Sequence, residues 1–276
     1  MGGPDGQAGR PDTGKVRGLV SDNSNLFALE GQVALVTGGS RGLGRAMVEA
    51  FADAGADVVI ASRKLDSCVE AARSVQGRTG RRCVPYSCHV GHWDEIPGLI
   101  DAAYDEFGRL DVVVNNAGMS PLYPSLDVVS EELFDKTVGV NLKGPFRLCA
   151  VAATRMKDTG GGSIINVSSI AAVRPTPREL PYAAAKAGLH VLTAGFAMAY
   201  GPEVRVNTIM AGPFLTDISH AWDMESFEKH AAAFPLRRAG QPDEIVGAAL
   251  YLASAASSYT TGTLITVDGG SSIARL

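Results

Sequence analysis

The sequence predicts an α/β protein: a doubly wound, seven-stranded parallel sheet flanked by helices, in a single domain. Three observations carry this expectation. From about residue 30 onward, short apolar runs alternate with helical patterns. Most of the runs are β-branched and apolar throughout, as parallel strands covered on both faces must be. No linker-like stretch interrupts residues 30–276.

Taken in order, residues 1–25 are rich in Gly, Asp, Pro and Asn and have almost nothing to bury. They are expected to form a disordered extension ahead of a domain spanning 26–276. The seven strands are VALVTG (33–38), DVVIAS (57–62), CVPYSC (83–88), DVVVNN (111–116), SIINVSS (163–169), VRVNTIM (204–210) and LITVDG (264–269). Helical patterns fill 44–56, 64–75, 93–108, 130–156, 182–201 and 242–257. The segment 214–235 is long between core elements and is expected to be a mobile lid.

Composition narrows the function classes. With 276 residues, 46% of them hydrophobic, the chain can bury a large core. A net charge of -4 argues against nucleic-acid binding through bulk electrostatics. The longest apolar runs fall short of a membrane span, and the N-terminus lacks the apolar segment of a signal peptide, so a cytoplasmic protein is expected. Cys68, Cys83, Cys88 and Cys149 show no disulfide pattern and read as reduced structural thiols. A metal site of Cys83, Cys88, His89 and His92 fits no common zinc spacing, and no metal is expected.

The first strand–helix turn, VALVTGGSRGLGRAM, is glycine-rich. Gly38, Gly42 and Gly44 leave backbone N–H groups open to a pyrophosphate at a helix N-terminus, and Gly42-Leu43-Gly44 lets the helix sit close to the strand. Ser40 and Arg41 belong to the same turn. The second strand ends in Ser62, Arg63 and Lys64, where an NAD-binding chain usually has an acid for the ribose 2′-hydroxyl. Arg41 and Arg63 suit a 2′-phosphate, so NADP(H) is the preferred cofactor and NAD(H) the alternative. In PYAAAKAG, the alanines predict a helix that stacks Tyr182 and Lys186 on one face.

Together, TGGSRGLG (37–44), NNAG (115–118), VNLKG (140–144), INVSS (165–169) and YAAAK (182–186) occur in the order of the short-chain dehydrogenase/reductase family, which the chain resembles over about residues 28–272. The C-terminal stretch GQPDEIVGAALYLASAASSYTTGTLITVDGG is similar to that family as well. The resemblance implies a three-layer Rossmann fold, a nicotinamide cofactor, a small carbonyl or alcohol substrate, and usually a homotetramer. It maps a catalytic tetrad onto Asn141, Ser169, Tyr182 and Lys186. Of the two adjacent serines, Ser169 stands thirteen residues before the tyrosine, as in the family, leaving Ser168 as a packing or backbone-bonding neighbour.

In the implied chemistry, Tyr182 exchanges a proton with the substrate oxygen while Ser169 orients and polarises that oxygen. Lys186 favours the phenolate, lowering the tyrosine's pKa, and holds the nicotinamide ribose. Asn141 anchors a proton-relaying water. Asn115, Asn116, Ala117 and Gly118 flank the adenosine and the central strand. Thr216 bonds the pyrophosphate or carboxamide, and the Phe214 backbone meets the nicotinamide amide. Taken alone, each tetrad residue also has an ordinary role: Asn141 as a helix-bending residue, Ser169 as a strand-end cap, Tyr182 as core.

The chain departs from the family pattern at three places. His89-Val90 replaces the usual Asp-Val that meets the adenine, so either a neutral His89 or the backbone must accept the adenine amino group. Ala211-Gly212 replaces Pro-Gly beneath the nicotinamide. Met198 stands where bacterial 3-oxoacyl-carrier-protein reductases use an arginine to dock the carrier, in an apolar helix that suits a subunit interface. The expected pocket rim brings Leu122, Tyr123, Leu180, Phe214, Trp222, Met224 and Phe227, which favours a lipophilic substrate. Arg174 or Arg178 either meets a substrate carboxylate or is a solvated loop charge. Activity on 3-oxoacyl thioesters and a catalytically silent cofactor sensor are the alternative functions.

Overall fold

Every one of the seven expected strands forms, and their order sets where a ligand can bind. The computed structural model describes residues 26–217, 219 and 223–274; the expected N-terminal extension and Trp222 lie outside them. The strands are β1 (Val33–Thr37), β2 (Asp57–Ser62), β3 (Cys83–Ser87), β4 (Val112–Asn115), β5 (Gly162–Ser169), β6 (Val204–Ala211) and β7 (Leu264–Val267). They pair in the order β3-β2-β1-β4-β5-β6-β7, parallel throughout. The direction of strand progression reverses between β1 and β4, and in such sheets the ligand crevice lies beyond the carboxyl ends at that point.

Among the described residues, eight α-helices accompany the sheet: α1 (Gly42–Asp53), α2 (Leu65–Thr79), α3 (Glu95–Phe107), α4 (Glu131–Val138), α5 (Gly144–Asp158), α6 (Leu180–Tyr200), α7 (Met224–Ala231) and α8 (Val246–Ala253). Successive residues of a strand face opposite sides, so each strand feeds two cores. Ala34, Val36, Val58, Ile60 and Val114 pack with Met47 and Phe51 of α1 and Ala249 and Leu252 of α8. Val33, Leu35, Val59 and Val113 pack on the other side with Ile96 and Leu99 of α3, Leu148 of α5 and Phe196 of α6. The result is three layers.

Three details differ from expectation. The strands are not all covered on both faces: β3 and β7 are edges, and Leu264 of β7 is 39% exposed. The helical pattern over 130–156 divides into α4 and α5 around a π-helical turn, Gly139–Lys143. The segment expected to be a lid contains a helix of its own, α7, whose start is capped by the Asp223 carboxylate accepting from the Ser226 amide.

Behind the site the core carries a polar chain rather than more aliphatic packing. Asn115 Nδ2 donates to Asn166 Oδ1 at 2.9 Å, Asn166 Nδ2 donates to Thr193 Oγ1 at 2.9 Å, and Thr193 Oγ1 lies 2.7 Å from Thr208 Oγ1. These four side chains are buried and link β4, β5, β6 and α6. Asn166→Ala strips partners from Asn115 and Thr193 at once, and should cost about 2–4 kcal/mol in urea unfolding.

Candidate active site

The glycine turn is stitched to the central strands from both sides. Thr37 Oγ1 donates to the Val114 carbonyl at 3.0 Å and accepts from the amides of Asn116 and Ala117 at 3.0 and 3.2 Å. Asn116 Nδ2 donates to the carbonyls of Thr37 and Gly38 at 2.9 and 3.3 Å. Gly42 sits at φ +54°, a left-handed conformation that favours glycine, and a Cβ on Gly44 would collide with the Gly38 carbonyl oxygen and with Asn116 Nδ2. Leu43 packs against the core beside them.

Helix α1 opens with Arg41 at its N-cap position and no side-chain cap, so its first N–H groups remain available to an anion. Ser40 and Ser62 meet at 3.3 Å, which joins the glycine turn to the end of β2. Arg63 and Lys64 are exposed there. Arg41 makes a loose, exposed ion pair with Asp217 at 3.8 Å, and Thr216 lies against Gly42. Gly212 packs tightly on Asp268. These features fit a dinucleotide phosphate.

On the expected adenine side, Asn115 donates into the polar chain of the core and so ties the central strands together as expected, while Asn116 holds the glycine turn. His89 Nδ1 accepts from the Gly91 amide at 3.2 Å, while its ring stacks on His92 at 4.2 Å. Burial, then the nearby charges of His92 and Arg63, push His89 below the ordinary histidine range. It is therefore neutral at pH 7, with Nδ1 committed within its own loop and the proton on Nε2. Val90 is buried, and its carbonyl lies so close to Gly144 that a side chain there would clash.

Asn141 and Lys186 meet at Gly118. A Cβ on Gly118 would stand 3.0 Å from Asn141 Oδ1 and 3.6 Å from Lys186 Nζ. Asn141 sits in the π turn and bonds Met119 on both sides: Oδ1 accepts from its amide at 3.2 Å and Nδ2 donates to its carbonyl at 2.8 Å. Nδ2 also donates to the Thr137 carbonyl at 2.9 Å. That carbonyl lies four residues back, where a regular helix places a backbone bond, so the helix-bending role coexists with a site role. Ser169 ends β5, accepts from the Ala171 amide at 3.2 Å and hydrogen-bonds Tyr182.

Lys186 is 4% exposed, and its ammonium donates to the Val167 carbonyl at 2.8 Å. It lies 5.7 Å from the centre of the Tyr182 ring, one helical turn away. Burial pushes Lys186 down to about 8. Burial also pushes the Tyr182 phenol up to about 12, eased by the Ser169 hydrogen bond and reinforced by the Glu179 carboxylate. The expected lowering of the tyrosine is not seen: desolvation of the phenolate sets the direction of its shift.

Sequence reasoning missed His190, one turn beyond Lys186 on α6. Its Nε2 lies 2.8 Å from Ser168 Oγ, which also donates to the Lys186 carbonyl at 3.2 Å. The i,i+4 spacing from Lys186 was the available signal. Ser168 is thus a backbone-bonding neighbour of the tetrad, as the family resemblance implied.

The rim assembles differently from expectation. Tyr123 is buried and clamps two loops, donating to the Pro177 carbonyl at 3.0 Å and accepting from the Leu180 amide at 2.8 Å. Phe214 is buried in the core against Gly240 instead of lining the rim. Leu122, Leu180 and Met224 are exposed, whereas Phe227 packs on Ala231, Phe234 and Ala274. Arg178 is exposed. Arg174 Nη1 donates to the carbonyls of Ser271, Ser272 and Ala274. All four cysteines are buried and free, and burial raises the Cys83 and Cys88 thiols to about 11 and about 12. Among the described residues no group of three His, Cys, Asp or Glu side chains is placed to hold a metal.

A glycine turn, an uncapped helix and a phenol beside a buried ammonium define a nicotinamide-dependent oxidoreductase site. Residues 38–272 match the family described as Enoyl-(Acyl carrier protein) reductase. The chain is 36% identical over 258 residues to Dehydrogenase/reductase SDR family member 4 of Homo sapiens, covering 92% of each. It is 36% identical over 246 residues to the 3-oxoacyl-[acyl-carrier-protein] reductase of Thermotoga maritima, covering 88% of this chain and 98% of that one. The crystal structure of the NADPH-dependent 3-quinuclidinone reductase from Rhodotorula rubra superposes with a TM-score of 0.89 at 32% identity, over 95% of this chain and 99% of that one. The chain belongs to the short-chain dehydrogenase/reductase family. It is an NAD(P)-dependent oxidoreductase acting on alcohol or carbonyl groups.

The buried ammonium yields a stability prediction. Between its folded pKa of about 8 and the ordinary lysine value, the unfolded chain binds the proton that the folded chain has released, so wild-type stability rises with pH there. Lys186→Met removes that burden and should stabilise the fold by about 2 kcal/mol at pH 7. The gain should shrink as pH climbs above 8, as followed by urea unfolding at several pH values.

Proposed function

We propose that the protein is an NADP(H)-dependent carbonyl reductase or alcohol dehydrogenase acting on a lipophilic small molecule. The observation that carries this reading is the gathering of Asn141 and Lys186 at Gly118, with Tyr182 bonded to Ser169 beside them. NADP(H) supplies or accepts the hydride when bound. Tyr182 holds a proton at neutral pH, the state a donor to a carbonyl oxygen needs. Ser169, already bonded to that phenol, orients the substrate oxygen. Lys186 places a cation one turn away, which reduces the cost of the phenolate left behind. Asn141 fixes the Met119 backbone and keeps the loop after β4 in register with Lys186.

The preference for NADP(H) is supported by Ser62, Arg63 and Lys64 where an acid would bind a 2′-hydroxyl, with Arg41 in the neighbouring turn. The NADPH dependence in the name of the Rhodotorula relative points the same way. The apolar outer face of α6, with Val191 74% and Met198 84% exposed, supports a homo-oligomer, which we read as a tetramer in the cytoplasm. No helix among the described residues is long and apolar enough to cross a membrane.

Reduction of 3-oxoacyl thioesters is the second reading, favoured by the similarity to the Thermotoga enzyme and weakened by Met198. A silent cofactor sensor would bind NADPH and turn nothing over. Paired NADPH and NADH assays over ketones, quinones and 3-oxoacyl thioesters separate the three. We expect NADPH-dependent turnover of ketones or quinones, lowered at least about a hundredfold in Tyr182→Phe. Undiminished turnover in that variant overturns the mechanism. Arg41→Ala with Arg63→Ala should raise KM for NADPH about tenfold or more and leave KM for NADH nearly unchanged; equal losses for both cofactors refute the assignment.

A further inference from the structure

The loops leaving three neighbouring strands are tied to one another at the carboxyl edge of the sheet. β5 ends at Ser169, opposite Ala211 of β6, which in turn pairs with Val267 of β7. The loop after β5 carries Arg174, whose amide bonds the Ile170 carbonyl at 2.8 Å. The segment after β6 is the lid with α7. Beyond β7 lies the C-terminal segment.

That C-terminal segment folds back on itself. Asp268 accepts from the Gly270 amide at 2.8 Å and from the Ser272 amide at 2.7 Å. The turn so formed is attached to the lid at three points. The Leu236 amide donates to the Gly269 carbonyl at 3.1 Å, Pro235 packs directly on Gly270, and Ala274 is buried with Ala231, Phe234 and Phe227. From the other side Arg174 Nη1 donates to the carbonyls of Ser271 at 3.4 Å, Ser272 at 3.1 Å and Ala274 at 2.7 Å. A guanidinium shared among carbonyls binds more firmly than a neutral donor would.

We infer that Arg174 is a positioning residue for the substrate lid, acting through the C-terminal turn. It fastens that turn to the loop that begins at Ser169, and the turn carries the lid with it. This rests on the reading of 214–235 as the lid of a carbonyl-reducing site. It assigns a task to Arg174 that requires no contact with substrate, and it makes residues 268–274 part of the machinery that admits substrate. An arginine retained only for folding would lower overall stability without singling out the lid or the substrate KM.

The experiment compares wild type, Arg174→Ala, a chain ending at Gly270, which lacks all three carbonyls that Arg174 grips, and the two changes combined. Amide hydrogen exchange over 224–236 should accelerate at least about tenfold in each single variant, the scale set by one hydrogen bond to a charged group. The combined variant should exchange no faster than the truncation, since both break one connection. Arg174→Lys should recover part of the protection. With NADPH as reductant and benzil as carbonyl probe, KM for benzil should rise in the single variants, while the Kd of NADPH measured by fluorescence stays unchanged. Unaltered lid exchange in Arg174→Ala, or effects that multiply in the combined variant, would overturn the inference. Absence of benzil turnover in every form counts against the carbonyl-reductase reading instead, and the exchange data still decide the role of Arg174.

Discussion

The site depends on an ammonium group held in the interior by one backbone carbonyl. Lys186 Nζ reaches the Val167 carbonyl near the carboxyl end of β5, and this bond ties α6 to β5. The Ser168 hydroxyl, bonded to the Lys186 carbonyl and beside His190, forms a second tie over the same gap. Ser169 and Tyr182 inherit their separation from these two ties. The loop after β4 then passes the ammonium at Gly118, where a side chain would crowd Asn141 Oδ1. Behind it, neutral amides and hydroxyls satisfy one another; a second cation in that low-dielectric space would compete with the first.

The two halves of the site are held by different means. On the cofactor side the geometry is mostly backbone: a left-handed glycine, a helix N-terminus, and Thr37 stitching strand to strand. On the substrate side it is side chains, with Tyr123 clamping two loops and Arg174 gripping main-chain carbonyls. Backbone geometry tolerates few replacements, whereas a rim built from side chains can be re-cut residue by residue. A family that shares one cofactor mode and serves many substrates is the natural outcome of that division.

The interior strands were legible because unbroken apolar runs such as VALV and VVIA have no other stable destination. The sequence was silent on which strands become edges, since coverage of LITV is decided by neighbours rather than by its own residues. The break between α4 and α5 was invisible because hydrophobic periodicity barely registers one extra residue in a turn. α7 was overlooked although Asp223, Met224, Phe227 and Ala231 carry a cap and a helical stripe; the surrounding segment reads as loop. Tyr182 and Lys186 were identifiable only in company with Ser169 and Asn141, because an i,i+4 pair is common. The direction of the Tyr182 shift depends on how much water the fold removes, which no spacing reveals. Arg174 is the clearest loss: its partners lie about a hundred positions away in sequence, where local reading has no purchase.

The π turn at Gly139–Lys143 acts as an angular spacer between two helices. Each residue added to a helix turns everything beyond it by about 100°. Wound as a regular α-helix with every residue kept, the segment would rotate α5 by about 100° relative to α4, and Leu148, Ala152 and Met156 would swing from the core. Asn141 stabilises this otherwise costly irregularity by taking the Thr137 carbonyl into its own hydrogen bond. The chain therefore cannot regularise this helix at its present length, however much a continuous helix would gain locally. A widened turn is the trace that the site leaves on the scaffold.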